Sequence, residues 1–206
     1  IALTPPDLDI QYIYCDENFE QINWDLPCDL VGITGYTLQF ERMQEISRRF
    51  RDRGVAVAAG GIYATIDPTA VAALAHHLFI GEAEYTWPRF LRDWVAGTAE
   101  GVYEQQGFID MKDSPAPDLS YIKARNYLYF SVQTSRGCPW NCEFCAASIR
   151  LNPKYRVKPV AKVIAELHRV KELWRAPFIE FADDNTFADR RHGHALMEAL
   201  IPERIR

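Results

Sequence analysis

Short apolar runs alternate with amphipathic segments along most of the 206 residues, and this alternation constrains the fold more than any other feature. Apolar runs at residues 29–34 and 55–61 flank a segment, 38–53, whose apolar side chains repeat at helical spacing. Strands and helices that alternate over short connections form a doubly wound parallel sheet. The pattern therefore predicts an α/β protein whose ligands bind at the carboxyl ends of the strands.

Residues 1–104 carry most of this alternation and are expected to form one domain. The segment 9–14, "DIQYIY", has the pattern of a further strand. Asp67 and Pro68 have the residue types of a helix cap and a first helical residue. His76 and His77 lie near the end of the helix that Asp67 and Pro68 begin, and we expect both on the surface.

The alternation lapses over residues 105–126, where Pro115 and Pro117 favour extended backbone, so this stretch is the expected linker. The remaining residues, 127–206, repeat the strand–helix pattern twice. Two such units begin a barrel but do not close one, which makes this segment the start of a partial TIM-like barrel. The expected elements are a strand over 127–137, a helix that Pro159 opens, a strand over 178–184 and a helix over 188–200.

Composition excludes several classes of protein. A formal net charge of −5 disfavours nucleic-acid binding, which needs a concentrated basic surface. The one basic cluster, formed by Lys154, Arg156 and Lys158, is expected to be a solvated run of charge. No apolar run is long enough to span a bilayer. Five cysteines, an odd number with three crowded together, do not have the pattern of a secreted disulfide framework. We therefore expect a cytoplasmic protein.

Three of the cysteines, Cys138, Cys142 and Cys145, lie within eight residues, in the segment 138–145 that we call the cysteine loop. A structural zinc site needs a fourth ligand, and the nearest histidines lie on predicted helices or beyond them. One disulfide would leave a cysteine over, and a group of three inert buried thiols is a further alternative. Three thiolates suit a [4Fe–4S] cluster whose fourth iron has no protein ligand.

The loop sequence, "CPWNCEFC", resembles the signature of the radical S-adenosylmethionine superfamily, including the aromatic Phe144 before the last cysteine. The resemblance implies that Cys138, Cys142 and Cys145 hold a [4Fe–4S] cluster. In that family the open iron chelates S-adenosylmethionine, the reduced cluster cleaves it to methionine and a 5′-deoxyadenosyl radical, and the aromatic residue lies beside the adenine.

Asp183 and Asp184 lie in the stretch "ADDNTF", which resembles the version of the second barrel strand found in radical enzymes that carry a cobalamin domain. The resemblance implies that both contact S-adenosylmethionine. An alternative stays open: acidic residues ahead of the helix expected at 188–200 have the chemistry of a helix cap and a first-turn carboxylate.

The upstream domain is similar to flavodoxin-like cobalamin-binding domains in its stretch "DLVGITGYT", followed about 25 residues later by "AAGG". The resemblance implies that Thr34 offers a hydroxyl to cobalamin, while Gly60 and Gly61 remove side chains from its path. Two glycines at a strand-to-helix turn are the alternative. The cobalt-ligating motif Asp-x-His-x-x-Gly of the best-known subgroup does not occur in the sequence.

Together these resemblances imply a cobalamin-dependent radical enzyme that methylates an unactivated carbon, with catalytic residues unidentified. A radical cyclase and a non-catalytic iron–sulfur electron carrier remain alternatives, although a ferredoxin needs a fourth nearby cysteine. The implied partners are a small-molecule, peptide or lipid substrate and a one-electron reductant such as flavodoxin or ferredoxin. Because the chain starts at Ile1 and stops at Arg206 within these patterns, we expect each domain to be incomplete and the fragment alone to be inactive.

Overall fold

The computed structural model describes residues 1–151, 154–174 and 177–204, without the side chains of 148 and 149. Two compact units divide the chain. The amino-terminal unit contains residues 3–11 and 15–109, and the carboxyl-terminal unit contains 1–2, 12–14 and the described part of 110–206. Among the described residues, no helix combines the length and the apolar character that crossing a membrane requires.

The amino-terminal unit contains a four-stranded parallel sheet in the order β1-β2-β3-β4, which confirms the parallel sheet that the alternation predicts. In the register of the sheet, Thr34 lies opposite Gly60 and Ile80 lies opposite Glu104. The carboxyl ends of all four strands therefore lie along one edge. The strands are β1 (Leu30–Thr34), β2 (Ala56–Gly60), β3 (His77–Ile80) and β4 (Val102–Glu104).

Helices connect these strands, and their ends follow the capping signals in the sequence. The Asp67 side chain accepts a hydrogen bond from the amide of Ala70 at 3.0 Å, and Pro68 occupies the first helical position, as predicted. Gly54 has a φ of +77° just after the first helix, which is the left-handed conformation expected of a residue that closes a helix. The helices are α1 (Phe40–Arg51), α2 (Ile62–Ile66), α3 (Pro68–Ala72) and α4 (Thr86–Val95), and a 3-10 turn (Thr37–Gln39) precedes α1.

The two faces of this sheet are covered by different helices. Val57 and Ala59 of β2 pack in a cluster with residues of α1 and α3, whereas Ala58 packs in a second cluster with residues of α4. This division follows from the alternation of side chains along a strand. The second face is rich in aromatic rings, and Phe79 stacks on Tyr103 with ring centroids 5.4 Å apart. The predicted helical cover on both faces is confirmed.

Two predictions for residues 1–104 are wrong. Residues 9–14 form no strand, because the structure gives their backbone no neighbouring strand with which to pair. His77 is not a surface residue: it begins β3, is 8% exposed and packs its ring against Phe90 and Trp94. Its neighbour His76 accepts a hydrogen bond from the Val57 amide through Nδ1 at 3.0 Å. His77 therefore belongs to the buried sheet, whereas His76 is exposed, as predicted.

The carboxyl-terminal unit has the predicted order of strand, loop, helix, strand and helix. β5 (Phe130–Val132) pairs in parallel with β8 (Ile179–Phe181), and the short strands β6 (Ser135–Arg136) and β7 (Arg156–Val157) form an antiparallel pair. The core of the unit joins these parallel strands to α5 (Val160–Leu173) and α6 (Arg190–Leu200). Its fully buried members are Val132, Val163, Leu167 and Leu196.

The strand expected over 127–137 is interrupted at Gln133 and Thr134, between β5 and β6. The interruption has a direct cause, because the amides of Thr134 and Ser135 donate to a side chain, Asp183, rather than to a neighbouring strand. The chain therefore bends at the point where it leaves the parallel pair.

Residues 110–126 fold against the carboxyl-terminal unit. Met111 is buried, and the ammonium group of Lys162 on α5 donates to the carbonyl groups of Lys112 and Ser114, the latter at 3.1 Å. Two 3-10 turns follow, Leu119–Tyr121 and Ala124–Asn126. The domain limits at residues 104 and 126 stay predictions.

Candidate functional site

The segment that contains the cysteine loop is closed at its base by the antiparallel β6–β7 pair, in which Ser135 pairs with Val157 and Arg136 pairs with Arg156. The amide of Lys158 then donates to the carbonyl group of Thr134 at 2.8 Å. The two ends of the segment that contains the loop are therefore held together by backbone hydrogen bonds.

A buried ion pair holds Lys158, the residue that follows β7. Lys158 Nζ lies 2.7 Å from Glu166 Oε1 on α5, and the two side chains are only 3% and 5% exposed. The prediction that Lys158 belongs to a solvated run of charge is therefore wrong. The sequence pattern failed here because the partner, Glu166, lies on the next helix and meets Lys158 only in the folded chain.

The three thiols of the loop are all accessible to some degree. Cys142 is exposed, Cys138 and Cys145 are half-buried, and none forms a disulfide. The amide of Cys145 donates to the carbonyl group of Cys142 at 2.9 Å, which closes a turn between them. Phe144, at 92% exposure, projects into solvent. The disulfide and inert-core alternatives do not describe these thiols.

In donor chemistry the loop fits the expected cluster, because three accessible thiols lie on one short irregular segment. The three thiols do not, however, form a compact group in space. Within the described ranges, no group of three or more His, Cys, Asp or Glu side chains is close enough together to hold a metal ion. The structure thus brings the cysteines onto one loop without gathering them around a common point.

Asp183 lies two residues after the end of β8 and joins this strand to the start of the loop. Its Oδ1 accepts hydrogen bonds from the amides of Thr134 and Ser135 at 2.7 and 2.9 Å. Its Oδ2 accepts from the hydroxyl groups of Thr134 and Thr186 at 2.5 and 2.8 Å. Thr134 and Ser135 are fully buried, so their amides need such a partner.

The next two residues contact the loop itself. Asp184 Oδ2 accepts a hydrogen bond from the amide of Gly137 at 2.9 Å, and Asn185 Nδ2 lies 3.9 Å from Cys138 Sγ, within range of an N–H donor to sulfur. The helix-cap alternative for the two aspartates is wrong. Helix α6 begins at Arg190, and its cap is Asp189, whose side chain accepts from the His192 amide at 3.0 Å.

In the amino-terminal unit, Thr34, Gly60 and Gly61 meet at the carboxyl edge of the sheet, as predicted. A Cβ atom at Gly61 would overlap the Thr34 hydroxyl group, and Gly61 has φ +91° and ψ −165°, a conformation that is essentially restricted to glycine. A Cβ atom at Gly60 would lie 3.1 Å from the Cβ atom of Phe79. The chain itself thus excludes a side chain at Gly61 and leaves little room for one at Gly60, and the Thr34 side chain remains exposed beside them.

Sequence reasoning missed one residue at this edge, Thr65. Its hydroxyl group donates to the carbonyl group of Gly61 at 3.0 Å and accepts from the amide of Gly81 at 3.0 Å. It therefore ties the turn after β2 to the turn after β3. A threonine four residues beyond a glycine turn is a weak signal, because the second contact comes from a different segment of the chain.

The buried ion pair predicts a distinctive stability pattern. We expect Lys158→Met to lower the free energy of unfolding by about 3–5 kcal/mol, because it leaves Glu166 buried without its partner. Adding Glu166→Leu should recover most of the loss. The matched control Lys171→Met removes a more exposed partner of Glu203 and should cost at most about 1 kcal/mol. Urea denaturation checks all three variants, and a double variant as unstable as Lys158→Met would contradict this interpretation.

The backbone at Gly61 gives a second prediction. Gly61→Ala should destabilise the protein by about 1–3 kcal/mol, because alanine is strained at this φ and ψ. Gly32→Ala is the control: no atom lies within 4 Å of the new methyl group, and its φ is not in the left-handed region. We expect that control to be neutral or slightly stabilising. Equal thermal stabilities for the two variants would contradict the prediction.

Comparison with known proteins gives related sequences and a related fold. No family model matches the chain. It is 33% identical over 165 residues to bacteriochlorophyllide d C-8(2)-methyltransferase of Chlorobaculum tepidum, which covers 76% of the chain and 36% of the relative. It is 27% identical over 206 residues to hopanoid C-2 methylase of Rhodopseudomonas palustris, which covers 97% of the chain and 38% of the relative. The chain therefore spans about a third of the length of these relatives.

A solved structure has a similar fold over most of the chain. The radical S-adenosylmethionine methyltransferase TsrM from Kitasatospora setae, solved with cobalamin and a [4Fe–4S] cluster, superposes with a TM-score of 0.68 at 15% identity. The match covers 87% of the chain and 41% of TsrM. The chain is thus related in sequence to enzymes named as carbon methylases and similar in fold to a cobalamin-binding radical S-adenosylmethionine methyltransferase, which agrees with the resemblance carried by the cysteine loop and the glycine pair.

Proposed function

We propose that the protein is a cobalamin-dependent radical S-adenosylmethionine enzyme that methylates an unactivated carbon. The observation that carries this proposal is the cysteine loop. Its three thiols, none in a disulfide, follow a parallel barrel-type strand at the place where the superfamily keeps its cluster. The names of the two relatives, both of which methylate carbon positions of larger molecules, support methylation as the outcome.

Cys138, Cys142 and Cys145 would hold the [4Fe–4S] cluster through their thiolates. With S-adenosylmethionine and cobalamin bound, these cofactors supply a carbon-centred radical and a transferable methyl group. The chain itself has to present three thiolates from one loop and to hold both ends of that loop. The β6–β7 pair and the Lys158–Glu166 ion pair support the second requirement.

The edge of the parallel sheet in the amino-terminal unit is the proposed cobalamin site. Thr34 offers an exposed hydroxyl group there, and Gly60 and Gly61 keep the neighbouring positions free of side chains. Exposed apolar side chains lie in the turns just beyond β1, including Tyr36 and the almost fully exposed Leu38. A large ligand with apolar surface would cover such side chains on binding.

Phe144 and Asp184 are proposed contacts of S-adenosylmethionine. The exposed ring of Phe144 has a face available for stacking on a base. Asp184 is exposed, and its Oδ2 accepts a hydrogen bond from the Gly137 amide. Asp183, the third residue implied by the resemblance, has its carboxylate engaged with the chain itself.

The substrate belongs to the proposal only as a class. The relatives are named for a bacteriochlorophyllide and for hopanoids, two chemically different molecules, so we propose a small-molecule, peptide or lipid substrate without choosing among them. A one-electron reductant such as flavodoxin or ferredoxin would complete the system. A cytoplasmic location is part of the same proposal, because cytoplasmic thiols stay reduced and available to iron.

The test is the cleavage of S-adenosylmethionine by full-length protein reconstituted with iron, sulfide and cobalamin and then reduced. We expect 5′-deoxyadenosine to form, and Cys142→Ser to abolish it together with most of the bound iron, because a three-thiolate site loses a ligand. Cys28→Ser, in the other unit, is the matched control and should behave as wild type.

The outcomes separate the alternatives. An iron-loaded wild-type protein that forms no 5′-deoxyadenosine would contradict the radical function and favour an electron carrier. Formation of 5′-deoxyadenosine without bound cobalamin, seen as the absence of its visible absorption bands, would contradict the methylation function and favour a radical cyclase.

A further inference from the structure

We propose that Asp183 is a positioning residue that fixes the start of the cysteine loop, rather than a ligand of S-adenosylmethionine. The inference deepens the proposed function, and what it says about iron binding rests on that function. What it says about the hydrogen bonds of Asp183 concerns only the carboxyl-terminal unit and can be tested without any cofactor.

The acceptor capacity of the Asp183 carboxylate is fully used by the chain itself. A carboxylate accepts about four hydrogen bonds in total. Asp183 already accepts four, two at each oxygen, from Thr134, Ser135 and Thr186, with donor–acceptor distances of 2.5–2.9 Å. These contacts occupy the lone pairs with which the carboxylate would bind the amino group of a ligand.

The contacts of Asp183 continue the β5–β8 pair. The amide of Ala182 donates to the carbonyl group of Val132 at 3.0 Å, and this is the last backbone bond of the pair. One residue later the Asp183 side chain accepts from the Thr134 amide. The carboxylate thus takes over where backbone pairing stops, and it allows the chain to turn toward the loop without leaving buried amides unpaired.

The contacts between this segment and the loop follow the order of the chain. Three consecutive residues, 183–185, meet successive positions at the start of the loop. Asp183 holds Thr134 and Ser135, Asp184 holds Gly137, and Asn185 approaches the sulfur of Cys138. Cys138 is therefore positioned by a chain of contacts that begins at Asp183.

The conservative variant separates a positioning role from a charged-ligand role. In Asp183→Asn the amide oxygen keeps both backbone contacts, and the NH₂ group donates to the threonine hydroxyl groups, which also accept. The contacts are retained while the charge is lost. Asp183→Ala loses both. A ligand that needs the negative charge would be lost equally in the two variants, whereas loop positioning would survive in Asp183→Asn.

The geometric experiment is native-state alkylation of the metal-free protein with iodoacetamide, followed by mass spectrometry of the Cys138 peptide. We expect Asp183→Ala to raise the alkylation rate of Cys138 about tenfold, because the loop opens more often. Asp183→Asn should stay within about twofold of wild type on the same reasoning. Asp189→Ala, which removes the α6 cap, is the matched control and should leave the rate unchanged, as should the Cys28 peptide in every variant.

The cofactor experiment measures iron bound after reconstitution and the affinity for S-adenosylmethionine. Asp183→Asn is expected to retain both, and Asp183→Ala to lose iron. Loss of S-adenosylmethionine binding in Asp183→Asn with iron retained would overturn the proposal, as would wild-type alkylation of Cys138 in Asp183→Ala. If Asp183→Ala does not fold, Thr134→Val removes one of the four hydrogen bonds, and an unchanged alkylation rate there would also overturn it.

Failure of the proposed function has a different signature. If wild-type protein binds no iron, but Asp183→Ala still exposes Cys138 to alkylation while Asp183→Asn does not, the positioning role is supported and the cluster assignment is not.

Discussion

The carboxylate of Asp183 is the interaction on which the geometry of the carboxyl-terminal unit depends. It accepts hydrogen bonds from two buried backbone amides at the point where β5 ends and the chain turns toward its cysteines. Without an acceptor there, those amides would be unpaired, which costs about 1–3 kcal/mol for each buried group. The turn that presents the cysteine loop is therefore possible because one side chain replaces a missing strand partner.

The amino-terminal unit also has to fix the irregular chain that follows its strands, and it does so with different residues. There the chain leaves β2 through Gly61, whose backbone conformation excludes other residues, and the Thr65 hydroxyl group ties the turns after β2 and β3 together. In both units, irregular chain follows the carboxyl end of a parallel strand and is fixed by a short polar side chain. This is the end of the strands at which α/β proteins commonly bind their ligands.

The sequence alone predicted the features that depend on local pattern. Helix and strand order, the parallel sheet, the Asp67 cap and the location of the cysteines on a loop all follow from periodicity and residue type. The features that it did not predict depend on partners distant in the chain. Lys158 is buried because Glu166 faces it, and His77 is buried because Phe90 and Trp94 cover it.

The two aspartates show the same limit at the site. The motif predicted that Asp183 and Asp184 contact S-adenosylmethionine, and their chemistry allowed a helix cap and a first-turn carboxylate as the alternative. Only the fold shows that Asp183 binds the chain 49 residues upstream, at Thr134. Likewise the strand expected at 9–14 has a suitable pattern, but pattern alone does not supply a neighbouring strand.

Hydrogen exchange at the Thr134 and Ser135 amides tests most directly that Asp183 holds the start of the loop. In metal-free wild-type protein both amides should exchange as slowly as those of β5, and in Asp183→Ala they should exchange at rates typical of exposed loops. Asp189→Ala should accelerate exchange at His192 alone, since that amide donates to the cap. Rapid exchange of Thr134 and Ser135 in wild type, or equal protection in Asp183→Ala, would contradict the role assigned to Asp183.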